Sequence, residues 1–247
     1  NLQPELYNTS DNKIEVTILF GDKVNTVSLF IESLGGDFVN LGYGFGIAYV
    51  TMDKLEELSN NEEIQYLELP KSLYLSDLQS SRAICVEKVR NEYGLYGEGI
   101  IIGFVDTGID YTHHAFRNED GTTRIEYICD LSTGDKVYDK KIINEALNAN
   151  DPYSIVPVYD VIEHGTHVAG IACAGGRISS SNYGVAPRSS IMMVKSSRGL
   201  FSLSSNIMKG IKFLVDRANE LRMPLVINLS LSTNDGAHNG SSLLEKY

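Results

Sequence analysis

Two short stretches hold residue types that could do chemistry together. HGTHVAG, residues 164–170, carries His164 and His167 three positions apart, and FVDTGID, residues 104–110, sets Asp106 between an apolar run and a Thr-Gly turn. Histidine is scarce at five in the chain, so a pair in one glycine-punctuated segment needs an account. It could be a metal clasp, a core helix that happens to hold histidines, or one arm of catalytic machinery. The clasp is disfavoured because no carboxylate pair lies nearby to complete a ligand set. Taken alone, Asp106 reads as a strand-end helix cap and His164 as a helix-start histidine. Strand-Asp-Thr-Gly followed by His-Gly-Thr-His-Val-Ala-Gly is a much more specific combination than either half.

Composition limits the setting for such a site. At 247 residues the chain can bury one large or two modest cores. Its formal net charge of −11 argues against a nucleic-acid partner, which would need clustered Lys and Arg. No run approaches the ~20 apolar residues of a membrane span, and the opening NLQPELYNTSDNK lacks the charged-then-apolar pattern of a signal peptide. Cys85, Cys129 and Cys173 are far apart and odd in number, so burial is expected rather than a disulfide framework or zinc knuckle.

The elements that must position these residues fall into two groups. In the first, KIEVTILF (13–20) alternates like a strand, residues 25–36 have helical spacing and a Gly-Gly stop, 42–51 read as a Gly-rich strand, 52–61 as a helix, and IQYLELP (64–70) as a last strand. That order predicts a small α+β domain over residues 1–79, followed by a polar linker and a short amphipathic helix within 72–94. The second group, 80–247, begins with the continuously apolar strand before Asp106, as in a buried parallel sheet. A small-residue helix at 164–176, a buried strand at 189–197, an amphipathic helix at 204–223 and a strand at 224–232 follow. The predicted fold class is α/β, a parallel doubly wound sheet, with the catalytic groups expected at the carboxyl ends of its strands. Residues 117–160 are polar and charge-rich and read as a long surface excursion.

FVDTGID, HGTHVAGIACAGG, YGVAPRSSIMMVK and VINLSLS resemble, in family order, the successive signature blocks of the subtilisin-like serine proteases, the subtilases. Residues 14 to about 79 resemble the family's propeptide, a folding chaperone and inhibitory plug. The resemblance implies a partial subtilisin-like fold, a serine endopeptidase precursor, no cofactor, and a protein or peptide substrate. It also implies the chain's own propeptide and a further carboxyl-terminal half as partners. Position by position, Asp106 takes the place of the triad aspartate and His164 that of the triad histidine. The chemistry is consistent, because a serine hydroxyl is a weak nucleophile until a neutral imidazole accepts its proton. The imidazole in turn needs its other nitrogen held by a carboxylate. His167 is expected to be a packed, hydrogen-bonded helper behind the site.

Asn228, Leu229, Ser230, Leu231 and Ser232 match the strand walling the primary specificity pocket, with Ser232 where the family usually has glycine. RGLFSL (198–203), with Gly199, Leu200 and Phe201, takes the place of the opposite edge, where a peptide would add as a strand. Ala115 and Phe116 stand where the family's tight calcium site often has an aspartate, so no metal ligand set is expected. The nucleophilic serine and the oxyanion asparagine are expected beyond Tyr247, since no serine here has a Gly-Thr-Ser-Met-Ala-like setting. TNDGAHNGSSLLEKY resembles a clostridial and gut-Firmicute branch that includes spore-germination proteases, implying a secreted or spore-associated bacterial protein. The rival reading is a pseudoprotease of the same fold that acts by binding or signalling, against which the intact Asp106 and His164 argue.

Overall fold

The computed structural model describes residues 12–70, 72–75, 86–197, 201–233 and 239–247. Two compact units emerge: Asn1–Ser72 with Leu203–Lys212 and Thr233–Tyr247, and Leu73–Ser202 with Phe213–Ser232.

In the first unit, alternation drives β1 (Lys13–Leu19), which points Ile14, Val16 and Ile18 to one face. Helices α1 (Val24–Ser33) and α2 (Leu55–Ser59) cover that face with Val27, Ile31 and Leu58. The antiparallel sheet runs β2 (Asp37–Gly42), β3 (Phe45–Thr51), β1, β4 (Tyr66–Glu68). Leu41, Phe45 and Ile47 form a second cluster with Met208 and Leu243. The expected single strand at 42–51 is thus the second arm of a hairpin. Gly42, Tyr43 and Gly44 turn it in the left-handed region, with φ of 84°, 52° and 81°. β2 escaped notice because Asp37, Asn40 and Gly42 are poor strand formers.

The second unit contains β5 (Ser72–Leu75), α3 (Val86–Tyr93) and a five-stranded sheet. The sheet is built from β6 (Ile101–Asp106), β7 (Ile125–Asp130), β8 (Lys136–Asp139), β9 (Ser190–Lys195) and β11 (Leu225–Asn228), in the order β11-β6-β9-β7-β8. All pairings are parallel except that of the edge strand β8. On one face α4 (Lys140–Leu147) and α5 (His164–Cys173) pack Ile143, Ala146, Val168, Ala169 and Cys173 against Phe104, Ile128 and Met193. On the other, the later part of α6 (Ser204–Leu221) lies so close to β6 that a Cβ on Gly103 would sit 2.9 Å from the Leu214 methyls. Helices on both faces make the expected doubly wound layer stack. Between β9 and α6 lies β10 (Phe201–Leu203), and β12 (Leu231–Ser232) follows β11. The strand expected at 224–232 is therefore two strands with a break at Leu229 and Ser230.

Residues 117–160 are not a surface excursion. They supply the interior strand β7, the edge strand β8 and helix α4, and they bury Ile125, Ile128, Cys129, Ile143, Val156 and Val158. Arg124 obscured this, because a charged residue beside a strand start reads as solvated. Here it is 6% exposed, and its guanidinium donates to the carbonyls of Ala115, Ser189 and Cys173.

Candidate active site

Asp106 is the last residue of β6, at the carboxyl end of a central strand, and it is 1% exposed. His164 opens α5. The two meet through Asp106 Oδ1 and His164 Nδ1 at 2.8 Å. The same oxygen accepts the Thr107 amide at 2.7 Å. Asp106 Oδ2 is buried and meets no donor among the described residues. Burial accordingly raises the Asp106 carboxyl above its ordinary value, against the pull of the His164 and Thr107 hydrogen bonds. A carboxylate in this position accepts an Nδ1–H, which fixes the neutral imidazole as the tautomer whose Nε2 can take a proton. The pair can orient and carry out general base chemistry on a hydroxyl nucleophile.

Glycine at 165 makes the approach feasible. A Cβ there would lie 2.2 Å from the Gly108 carbonyl oxygen and 3.1 Å from Asp106 Oδ1. Its amide donates to Thr107 Oγ1 at 2.8 Å. The HGT spacing thus reflects close contact between a helix start and the turn after β6.

His167 differs from expectation, being exposed rather than packed. It lines a cavity of about 470 Å³ with Asp110, His113, Tyr153 and Asp160. No cluster of three or more His, Cys, Asp or Glu side chains with metal-binding geometry occurs among the described residues. At the position of the family's calcium aspartate, the Ala115 carbonyl accepts from Arg124 Nη2 at 2.6 Å and from the Gly175 amide at 2.9 Å.

The expected pocket-wall residues follow the sheet. Asn228 ends β11, and its Nδ2 donates to Ser230 Oγ at 2.8 Å. Ser230 is buried, Leu229 is exposed, and Leu231 and Ser232 form β12. β12 pairs antiparallel with β5, Leu231 opposite Leu75 and Ser232 opposite Tyr74. β10, which begins at Phe201, flanks β5 on its other side, giving the three-stranded order β10-β5-β12. The two elements expected to grip a peptide therefore flank β5. Gly199 and Leu200 lie outside the described residues, as does Cys85. Cys129 and Cys173 are buried, free thiols. Asp160, which the sequence reading passed over, accepts hydrogen bonds from Thr107 Oγ1 and from Thr166. An isolated carboxylate in a loop four residues before His164 carries no sequence signal that separates it from a solvated one.

Comparison with known proteins places matches on both units. The Csp protease B prodomain matches residues 3–71, and the Subtilase family matches residues 97–247. The solved CspB protease of Clostridium perfringens is 61% identical with a TM-score of 0.66, covering 68% of this chain and 36% of that one. The PII-type proteinase of Lactococcus lactis subsp. cremoris is 27% identical over 225 residues, which are 83% of this chain and 11% of the proteinase. The epidermin leader peptide processing serine protease of Staphylococcus aureus shares the fold, with a TM-score of 0.54 at 19% identity, covering 89% of this chain and 50% of that one. The chain thus spans half or less of each of these proteins. No described helix is long and apolar enough to cross a membrane.

Proposed function

The chain belongs to the subtilase family, and on that premise we propose that the full-length protein is a serine endopeptidase made as a self-inhibited precursor. The observation that carries this reading is the 2.8 Å contact between Asp106 Oδ1 and His164 Nδ1 at the carboxyl end of β6. Asp106 orients the ring and stabilises its cation. His164 takes the proton from a serine hydroxyl supplied by the remainder of the protein, then returns it to the leaving amine. The bond between the serine oxygen and the substrate carbonyl carbon forms as the peptide C–N bond breaks, and water then hydrolyses the ester.

Substrate would lie as an added strand between β10, which begins at Phe201, and the wall Asn228 to Ser232. β5 already follows that path, which supports residues 1–79 as the inhibitory domain and 80–247 as part of the protease domain. The self-cleavage site belongs between Tyr74 and Ser81, most of which lies outside the described residues. The resemblance of the carboxyl-terminal stretch to spore-germination proteases supports a secreted or spore-associated location. A serine-directed phosphonate probe tests the proposal: the full-length protein should be labelled after processing, and His164→Ala should lose the label. Equal labelling of the variant would contradict the assignment.

A further inference from the structure

Asp160 uses both carboxylate oxygens, and it uses them on two different elements. Oδ1 accepts from Thr107 Oγ1 at 2.7 Å and from the Glu163 amide at 3.2 Å. Oδ2 accepts from the Thr166 amide at 2.8 Å and from Thr166 Oγ1 at 2.6 Å. Each threonine hydroxyl then accepts one amide from the opposite side. Thr107 Oγ1 takes Gly165 N–H at 2.8 Å, and Thr166 Oγ1 takes Asp110 N–H at 2.9 Å. The Glu163 amide is shared with the Asp160 carbonyl at 3.2 Å. The arrangement stitches the turn after Asp106 to the first turn of the helix that begins at His164.

Capping alone does not account for this geometry. α5 starts from Glu163 in the left-handed region at φ 65°, with no side-chain cap of its own. Asp160 supplies the missing acceptor for the helix amides. A cap needs only the Thr166 and Glu163 contacts, however. The Thr107 contact reaches across to the residue next to Asp106, and Thr107 is 2% exposed, so that link is shielded from water. Charge-assisted hydrogen bonds in such a place are short and directional.

We propose that Asp160 is a positioning residue which, through Thr107 and Thr166, sets the placement of Asp106 relative to His164. The inference rests on the reading of those two residues as the catalytic pair. Loss of the brace should leave substrate binding nearly intact and slow the chemical step, because misplacement of about 1 Å can cost about 100-fold in rate.

The test uses the full-length protein and four variants: Asp160→Ala, Asp160→Asn, Thr107→Val and His164→Ala. Thr107→Val is decisive, since it keeps the Asp160 contacts to Thr166 and Glu163 and cuts only the two hydrogen bonds of Thr107 Oγ1, the one to Asp160 and the one from the Gly165 amide. It should lower kcat between about 10- and 100-fold with KM changed less than about threefold. The low-field proton NMR signal of the Asp106–His164 hydrogen bond should broaden or shift. Asp160→Ala should do the same or worse, and Asp160→Asn should recover part of the loss, since its oxygen can still accept from Thr166. Wild-type kcat and an unchanged low-field signal in Thr107→Val would overturn the proposal even if Asp160→Ala fails to fold. Should His164→Ala remain fully active, the catalytic-pair reading itself fails, which is a different result from wild-type behaviour of Thr107→Val alone.

Discussion

Asp106 pays for its position at neutral pH, and the sign of that cost is testable. Burial raises its folded-state value above the ordinary 3.8, so the folded protein binds this proton more tightly than the unfolded chain. The associated stability is fully present below about 3.8 and is lost as pH rises through the raised folded value. Asp106→Asn removes that titration. Its melting temperature should therefore gain on the wild type as pH rises through the same window, then keep a constant lead. Thermal scans from pH 3 to 8 would show this, and a lead that shrinks with rising pH would contradict it. Activity should fall on the order of 10⁴-fold in the same variant, because an amide does not hold the imidazole in the productive tautomer. The buried thiols make a second prediction at this scale. Burial pushes Cys173 up to about 11 and Cys129 up to about 12, so neither should react with iodoacetamide at pH 8 in the folded protein. Peptide mapping that finds either one modified would refute this. The chemical identity of Asp106 and His164 was legible in the sequence because both stand in specific, small-residue settings. Asp160 was not, since an isolated acidic residue in a loop looks the same whether it is solvated or holds four donors.

At the scale of elements, Gly165 and Arg124 show two ways in which local sequence governs packing. Gly165→Ala places a methyl 2.2 Å from the Gly108 carbonyl, so the helix start must move away from Asp106. Self-processing should drop at least 100-fold even if the protein folds, as followed by gel over time. Arg124→Met should take the guanidinium donor from the carbonyls of Ser189 and Cys173, while that of Ala115 keeps the Gly175 amide. At about 1–3 kcal/mol per unpaired group, the loss is at least about 2 kcal/mol, or about 4–8 °C in melting temperature for a unit of this size. Calorimetry of the full-length variant measures it. Chelator should leave the wild-type melting temperature unchanged as far as the Ala115 loop is concerned, because that carbonyl already faces two donors. The apolar runs of β6 and β9 and the spacing of α5 and α6 were readable from hydrophobic periodicity alone. β2 and β7 were not, since Asn40 and Arg124 put polar side chains in or beside strands, and only the tertiary neighbours explain them.

For the whole molecule, β5 lies between β10 and β12. Under the proposed function a segment in that place would serve as both product and plug. The sequence changes character near residue 98, where alternating strands give way to continuously apolar ones. The regrouping of Leu203–Lys212 and Thr233–Tyr247 with the first unit was not legible there, because it depends on contacts such as Met208 and Leu243 with Phe45 that are remote in sequence. The proposed role of His164 as the base of a self-processing protease is tested most directly by intact mass and amino-terminal sequencing of the purified full-length protein beside its His164→Ala variant. The wild type should be cut once between Tyr74 and Ser81, and the variant should stay a single uncut chain. A His164→Ala protein processed to the same extent at the same bond would contradict it.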